Sequence, residues 1–410
     1  MKPTVEMAGC KGKPYGHIAT VLFAALTAGV NLPAGAQARF VPAPDRVVVP
    51  VSVQATAGAG SSLREAERAW RADPKRQDTA WRYAREVFVL GLREGDLRWY
   101  GAARAALQPW WDARQLPAEG HFMRALVRQG FHDFEGGIAD LTATIAQEPQ
   151  RAEAWSWRFS LYLLTSRLDE ARTDCTELGQ RFGAVEGQAC QATLQYRTGQ
   201  AEAAVPTFER LVQQPDLQGP LAQDWLRYHQ GMALVAAGRP MQAAQVWQQH
   251  LQRHPGSHLV RLSLAETLNA AGQHAQALEA SLATVQPTDA LLVQALLAAS
   301  ALRDPRAADL ENQVSQRMAA QAQRNEALIE RPQMMFYIRH RADLPRGLAL
   351  AVQSWTEQQE PADAALLIEA ALASDRPADA RPVLDWMRRT GYTDPVLASL
   401  ARTLQTRLGR

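Results

Sequence analysis

The chain repeats itself at a spacing of 34 residues: Gly231, Gly238, Ala243 and Pro255 return as Ala265, Gly272, Ala277 and an acidic turn near Asp289. A unit of that length has room for two helices and their turns, and is too small to bury an apolar face alone. It must stack on its neighbours, so the fold of such a chain is an array held by packing between successive units. From Leu63 onward apolar residues recur at helical spacing. No stretch alternates at period two over a useful length, which argues against a sheet.

Ser166, Gly199, Gly238 and Gly272 each stand where the first helix of a unit would end, at intervals of 33, 39 and 34 residues. Five extra residues in the loop from Pro215 to Pro220 account for the long interval. Around these turns, Trp155, Tyr162 and Ala171 mark one unit, Ala192, Ala204 and Phe208 the next, and Gly231, Ala243 and Pro255 the third. Ala265 and Ala277 follow in a fourth, and Ala125, Gly137 and Pro149 mark a weaker unit at 118–150. In these residues the chain resembles the tetratricopeptide repeat family. The resemblance implies an all-α fold, a right-handed α-α superhelix of about nine helical hairpins over residues 63–408, with the solenoid proper in 63–303 and its clearest repeats in 118–287. Residues 304–410 read as C-terminal helical repeats that continue or cap this solenoid. There Pro361-Ala362-Asp363-Ala364 recurs as Pro377-Ala378-Asp379-Ala380, a shift of half a unit. Asp73, Asp304 and Asp394 each precede a proline, and Asp343 stands two before Pro345. A capping acid before a proline at the first helical position is a helix start.

The first residues have the pattern of an export signal. Lys2, Lys11 and Lys13 form a basic front, Ile18 to Val30 a short apolar core, and Ala36-Gln37-Ala38 a small-residue cleavage site. The expectation is a signal peptide over 1–38, with cleavage after Ala38 and Met7 an equally good start, followed by an extended lead-in over 39–62. The chain has 44 basic and 42 acidic residues, of which three lysines and Glu6 fall within the first 38, leaving 41 of each sign. A nucleic-acid binder needs an excess of positive charge, so no nucleic-acid partner is expected. The expected compartment is the periplasm, with no membrane span after cleavage. Cys175 and Cys190, about seven residues either side of a turn near Arg181 to Ala184, would then be level on an antiparallel hairpin, and an oxidising compartment favours their disulfide.

No nucleophile elbow, phosphate loop, zinc-protease helix or paired-cysteine motif is present, so no catalytic residue and no cofactor are expected. His250 and His254, one helical turn apart, are the candidates for a metal ion, set against the alternative that histidine near a helix C-terminus caps its carbonyls. With Trp155 and Trp247 at packing positions, Trp111, Trp157 and Trp225 are the candidate sugar or peptide platforms, set against the alternative that they are core. By the resemblance, the groove-lining positions of the first helices fall on Tyr196 and Arg197, on Trp225, Tyr228 and Met232, and on Glu266 and Asn269. They imply a protein or peptide ligand on the concave face, with Trp225 and Tyr228 as its anchor. The family's carboxylate clamp is not reproduced. The expected function is a non-catalytic scaffold of the cell envelope; a small-ligand or metal-ion carrier of the periplasm is the alternative.

Overall fold

The computed structural model describes residues 60–96, 98–323 and 331–409. The expected signal peptide, its cleavage site and residues 39–59 of the lead-in lie outside the described residues. Everything described is helix or turn, in twenty α-helices with short 3-10 turns between some of them. The helices run α1 (Gly60–Ala72), α2 (Gln77–Glu94), α3 (Arg98–Leu107), α4 (Ala118–Gly130), α5 (Phe134–Gln147), α6 (Ala152–Leu164) and α7 (Leu168–Phe182). They continue as α8 (Ala184–Arg197), α9 (Ala201–Leu211), α10 (Pro220–Ala236), α11 (Pro240–Arg253), α12 (His258–Ala270), α13 (His274–Leu282) and α14 (Asp289–Leu302). The last are α15 (Ala307–Gln323), α16 (Arg331–Met335), α17 (Leu344–Glu357), α18 (Pro361–Ala373), α19 (Arg381–Thr390) and α20 (Pro395–Leu408). A π-helical turn, Phe336–His340, carries α16 onward.

From α1 to α15 each helix packs on the next, as do α16 to α19, and α2, α8, α10, α12, α14, α16 and α18 also pack on the helix two places on. That is the layout of stacked hairpins. The two helices of a pair differ in how much they bury. α6 has a polar face too small to notice, with eleven of its residues buried, among them Trp155, Trp157, Phe159 and Leu161. α7 buries only Ala171, Asp174, Cys175 and Leu178, the stripe expected of an outer helix. First helices therefore lie inside the array and second helices outside.

The turns are set by backbone that few residues adopt. His132, Ser166, Gly199, Gly238 and Gly272 all have positive φ, between 55° and 79°. The last four are the turn residues singled out by sequence, and His132 places the unit at 118–150 on the same footing. Small residues permit the close packing: a Cβ on Gly231 would stand 2.1 Å from the Trp247 ring, and one on Gly187 would stand 2.8 Å from the Gly179 Cα. Next to that second crossing, Cys175 and Cys190 form a disulfide across the α7–α8 turn, with their Cα atoms 5.6 Å apart.

Three local expectations differ in detail. α1 starts at Gly60 instead of Leu63, because Ser62 reaches α2, where its hydroxyl donates to Glu86. Asp343 and Asp394 cap their helices, Asp394 accepting from the N–H groups of Val396 and Leu397. Asp73 and Asp304 accept from residues two further on, Lys75 and Arg306, and so shape the turns before α2 and α15 instead of capping them.

The array does not end as an open spiral. One apolar core runs without a break from Ala189 to Leu404 and contains Trp225, Trp247, Phe336, Leu366, Trp386 and Tyr392. A second core covers Ala66 to Leu194. The two meet in α8, and the C-terminal helices share the core of the middle repeats.

Candidate binding face

The inner face expected to hold a partner is formed by α8, α10 and α12, whose positions follow from the interval between turn residues. Trp225 is 1% exposed and Tyr196 5%. Trp225 packs against the His229 ring at 4.2 Å and the Phe208 ring at 6.2 Å. The Tyr196 hydroxyl lies 2.7 Å from His229 Nδ1. Burial, with Arg197 nearby, pushes the His229 imidazole down to about 3, so this ring is neutral. Tyr228 and Met232 are half-buried against the same core. Burial raises the Tyr228 phenol above its ordinary value.

The later helices occupy the space these residues face. Arg197, with 12% of its side chain exposed, pairs with Glu360, 9% exposed, at the junction between α17 and α18. The Glu360 carboxylate outweighs the burial that would otherwise lower Arg197, and its guanidinium is held above the ordinary range. At the same junction the Gln359 N–H donates to the Leu164 carbonyl at 2.9 Å. One step further in, Arg331 donates to both carboxylate oxygens of Asp363 at 2.8 and 3.0 Å, and Gln358 Nε2 donates to the same carboxylate. Glu266 faces this cluster; burial raises its carboxyl, against the opposing pull of Arg331 and Arg339. Asn269 donates to the backbone and side-chain carbonyls of Gln294, tying α12 to α14. Arg197, Glu266 and Asn269 thus meet this chain's own later helices, while Tyr196 meets His229, and Trp225 meets Phe208, of the neighbouring repeat.

Those contacts form a series. Gly95, at the end of α2, lies against His258 at the start of α12; a Cβ on it would stand 2.3 Å from the His258 ring. His132, after α4, comes within 4.0 Å of Glu357. Ser166, after α6, accepts from Trp386 Nε1 at 2.7 Å. Gly199, after α8, meets the Gly391 carbonyl, and Gly238, after α10, meets the Pro395 ring. Five consecutive turn apices of a first coil are therefore covered, in order, by a second coil.

His250 and His254 stack with ring centroids 4.6 Å apart. His250 Nε2 lies 2.6 Å from Asp224 Oδ1, which binds α11 to α10. No group of three or more metal-ligating side chains occurs among the described residues. Trp157 is buried like Trp225, and Trp111 is half-buried beneath the Arg104 guanidinium, 4.8 Å from the ring centroid.

The residues that complete the inner face, Glu360, Asp363, Arg331, Trp386 and Tyr392, were not read from sequence as belonging to it. The recurring Pro-Ala-Asp was a signal of periodicity at 361 and 377; nothing in it showed that Asp363 would meet Arg331.

Comparison with known proteins bears on the repeats. Residues 122–179 and 228–290 match the tetratricopeptide repeat family model. No curated protein matches the chain. Among solved structures, PilW, a type IV pilus biogenesis factor, is 16% identical, with a TM-score of 0.40 over 51% of this chain and 96% of its own. Pseudomonas aeruginosa PilF is 14% identical, with a TM-score of 0.37 over 51% and 95%. A Parabacteroides merdae tetratricopeptide repeat protein is 15% identical, with a TM-score of 0.38 over 60% and 98%. None of these scores reaches 0.5, so the assignment rests on the matched repeats and on the helix packing of this chain. The matched segments hold most of α4 to α7 and of α10 to α13, and over them the chain is similar to the tetratricopeptide repeat family.

Proposed function

We propose that this protein is a non-catalytic protein-binding scaffold of the bacterial periplasm, exported by its N-terminal segment and serving an envelope system. The observation that carries the reading is the array itself: stacked tetratricopeptide hairpins, a surface-building architecture, with their inner side chains engaged in holding the second coil. Partner proteins then meet the outer helices and the edges of the coil. The basic front, apolar core and small-residue cleavage site of residues 1–38 support export. No described helix is long and apolar enough to cross a membrane.

The test is crosslinked affinity purification from the native envelope fraction, with a Trp225→Ala, Tyr228→Ala variant beside the wild type. Truncating two core aromatics should cost about 3–5 kcal/mol for Trp225 alone and lower the melting temperature of the variant. The wild type should enrich a defined protein. A variant that melts with the wild type yet loses that protein would place binding on the inner face. A wild type that enriches nothing above background would overturn the scaffold reading.

A further inference from the structure

The coil has two edges of different kind, one made of the turn apices that end first helices and the other of the starts of first helices. Inside the molecule these edges recognise each other. His258 and Pro395, which cover Gly95 and Gly238, are the first residues of α12 and α20, and Gly391, which covers Gly199, is in the loop leading into α20. The covering stops with α20. Gly272, the next apex, has the same left-handed backbone at φ 72°, yet no described neighbour lies within 4 Å of the point where a Cβ would stand. Beyond it Leu302, the last residue of α14, is 44% exposed. On its near side Met241 and Val396, 42% and 56% exposed, stand beside the Gly238–Pro395 contact in sequence. Three of the five large hydrophobics exposed among the described residues are thus adjacent to apices at or past the point where coverage ends.

The complementary edge is exposed at the other end of the array. Residues 73–76, which lead into α2, and Arg114, Gln115 and Pro117, which lead into α4, are all exposed. In register these are the next helix starts that would follow α20 if the coil continued.

We propose that the protein associates with a second copy of itself head to tail, the helix starts of α2 and α4 in one copy covering the Gly272 and Leu302 apices of the other. The occupant follows from continuity: all five covered apices are covered by later elements of this same chain, two of them, Gly95 and Gly238, by the first residue of a later helix. Such a contact is heterologous, so each copy keeps one free edge of each kind and short chains of copies can grow.

Sedimentation velocity of the intact protein over a concentration series tests this. The weight-average mass should rise with concentration. Leu302→Glu with Val396→Glu blocks one edge, and Lys75→Glu with Gln115→Glu the other; each variant alone should associate at least tenfold more weakly. An equimolar mixture of the two variants retains one intact edge of each kind and should form a two-copy species and nothing longer. All four positions are exposed, so helicity by circular dichroism should match the wild type, and Leu302→Arg repeats the test with the opposite charge. A single-copy mass at every concentration up to about 1 mM would overturn the proposal. So would variants that associate like the wild type, or a mixture that stays single-copy.

Discussion

At Gly199 two separate physical demands fall on one residue. Its φ of 79° is left-handed, and a Cβ would stand 2.3 Å from the Gly391 carbonyl oxygen. At Gly272 only the first demand applies, at φ 72°. Alanine in the left-handed region costs about 1–2 kcal/mol. Overpacking against a backbone carbonyl that cannot rotate aside adds about 1–3 kcal/mol. Gly272→Ala should therefore lose about 1–2 kcal/mol in urea unfolding, and Gly199→Ala about twice that. The difference reads the contact between the coils. Equal losses at the two sites would show that Gly391 gives way at little cost. The same pair shows what sequence can carry: both glycines were legible as turn residues from the 34-residue spacing, since the turn is a local demand. The contact with Gly391, 192 residues away, leaves no mark at Gly199 that a glycine required by its own φ would not also leave.

Among the helices, pairing was legible and closure was not. The turn residues, the small positions in α10 to α13 and the level placement of Cys175 and Cys190 are consequences of one hairpin packing on the next, which repeats along the chain. Docking of α17 to α20 on the first coil depends on the summed rotation of many joints, and no single joint reveals it. The inner face was therefore read as open because its residues, Trp225, Tyr228 and Met232, are the types that suit either a partner or a core. The disulfide belongs to the local class. It closes a loop of 15 residues between α7 and α8, for which chain entropy gives about 3 kcal/mol. Beside it α7 and α8 cross at Gly179 and Gly187, too close for any side chain to fill the gap left by a lost sulfur. Reduction, or Cys175→Ala with Cys190→Ala, should lower stability by about 3 kcal/mol and leave helicity unchanged. A thermal midpoint the same with and without reductant would show that helix packing alone fixes this joint.

Over the whole molecule, buried histidines make the closed coil sensitive to acid. His132 and His258 lie at the contacts between coils, against Glu357 and Gly95, and His229 lies beneath Tyr196 on the inner face. Burial lowers all three: His258, with Arg261 adding to the effect, to about 4, His229 to about 3, and His132 well below the ordinary value. An unfolded histidine takes up its proton near pH 6.5, while these stay neutral until the pH is much lower. The unfolded chain thus binds more protons below about pH 6.5, and stability falls as pH falls towards 4. Each histidine contributes a slope of up to about 1.4 kcal/mol per pH unit. Glu266 and Asp174, whose carboxyls burial raises, act in the opposite sense by taking up their protons earlier in the folded state, and two such groups offset only part of the slope of three histidines. Urea unfolding between about pH 7 and pH 4 should show this loss, and His258→Gln should reduce it. Because one core joins the middle repeats to the last helices, circular dichroism and the fluorescence of Trp386 and Trp225 should report a common transition. Acid that released the Trp386 signal first, with helicity intact, would instead mean that the second coil can leave the first as a unit, and that the inner face can be exposed by pH alone.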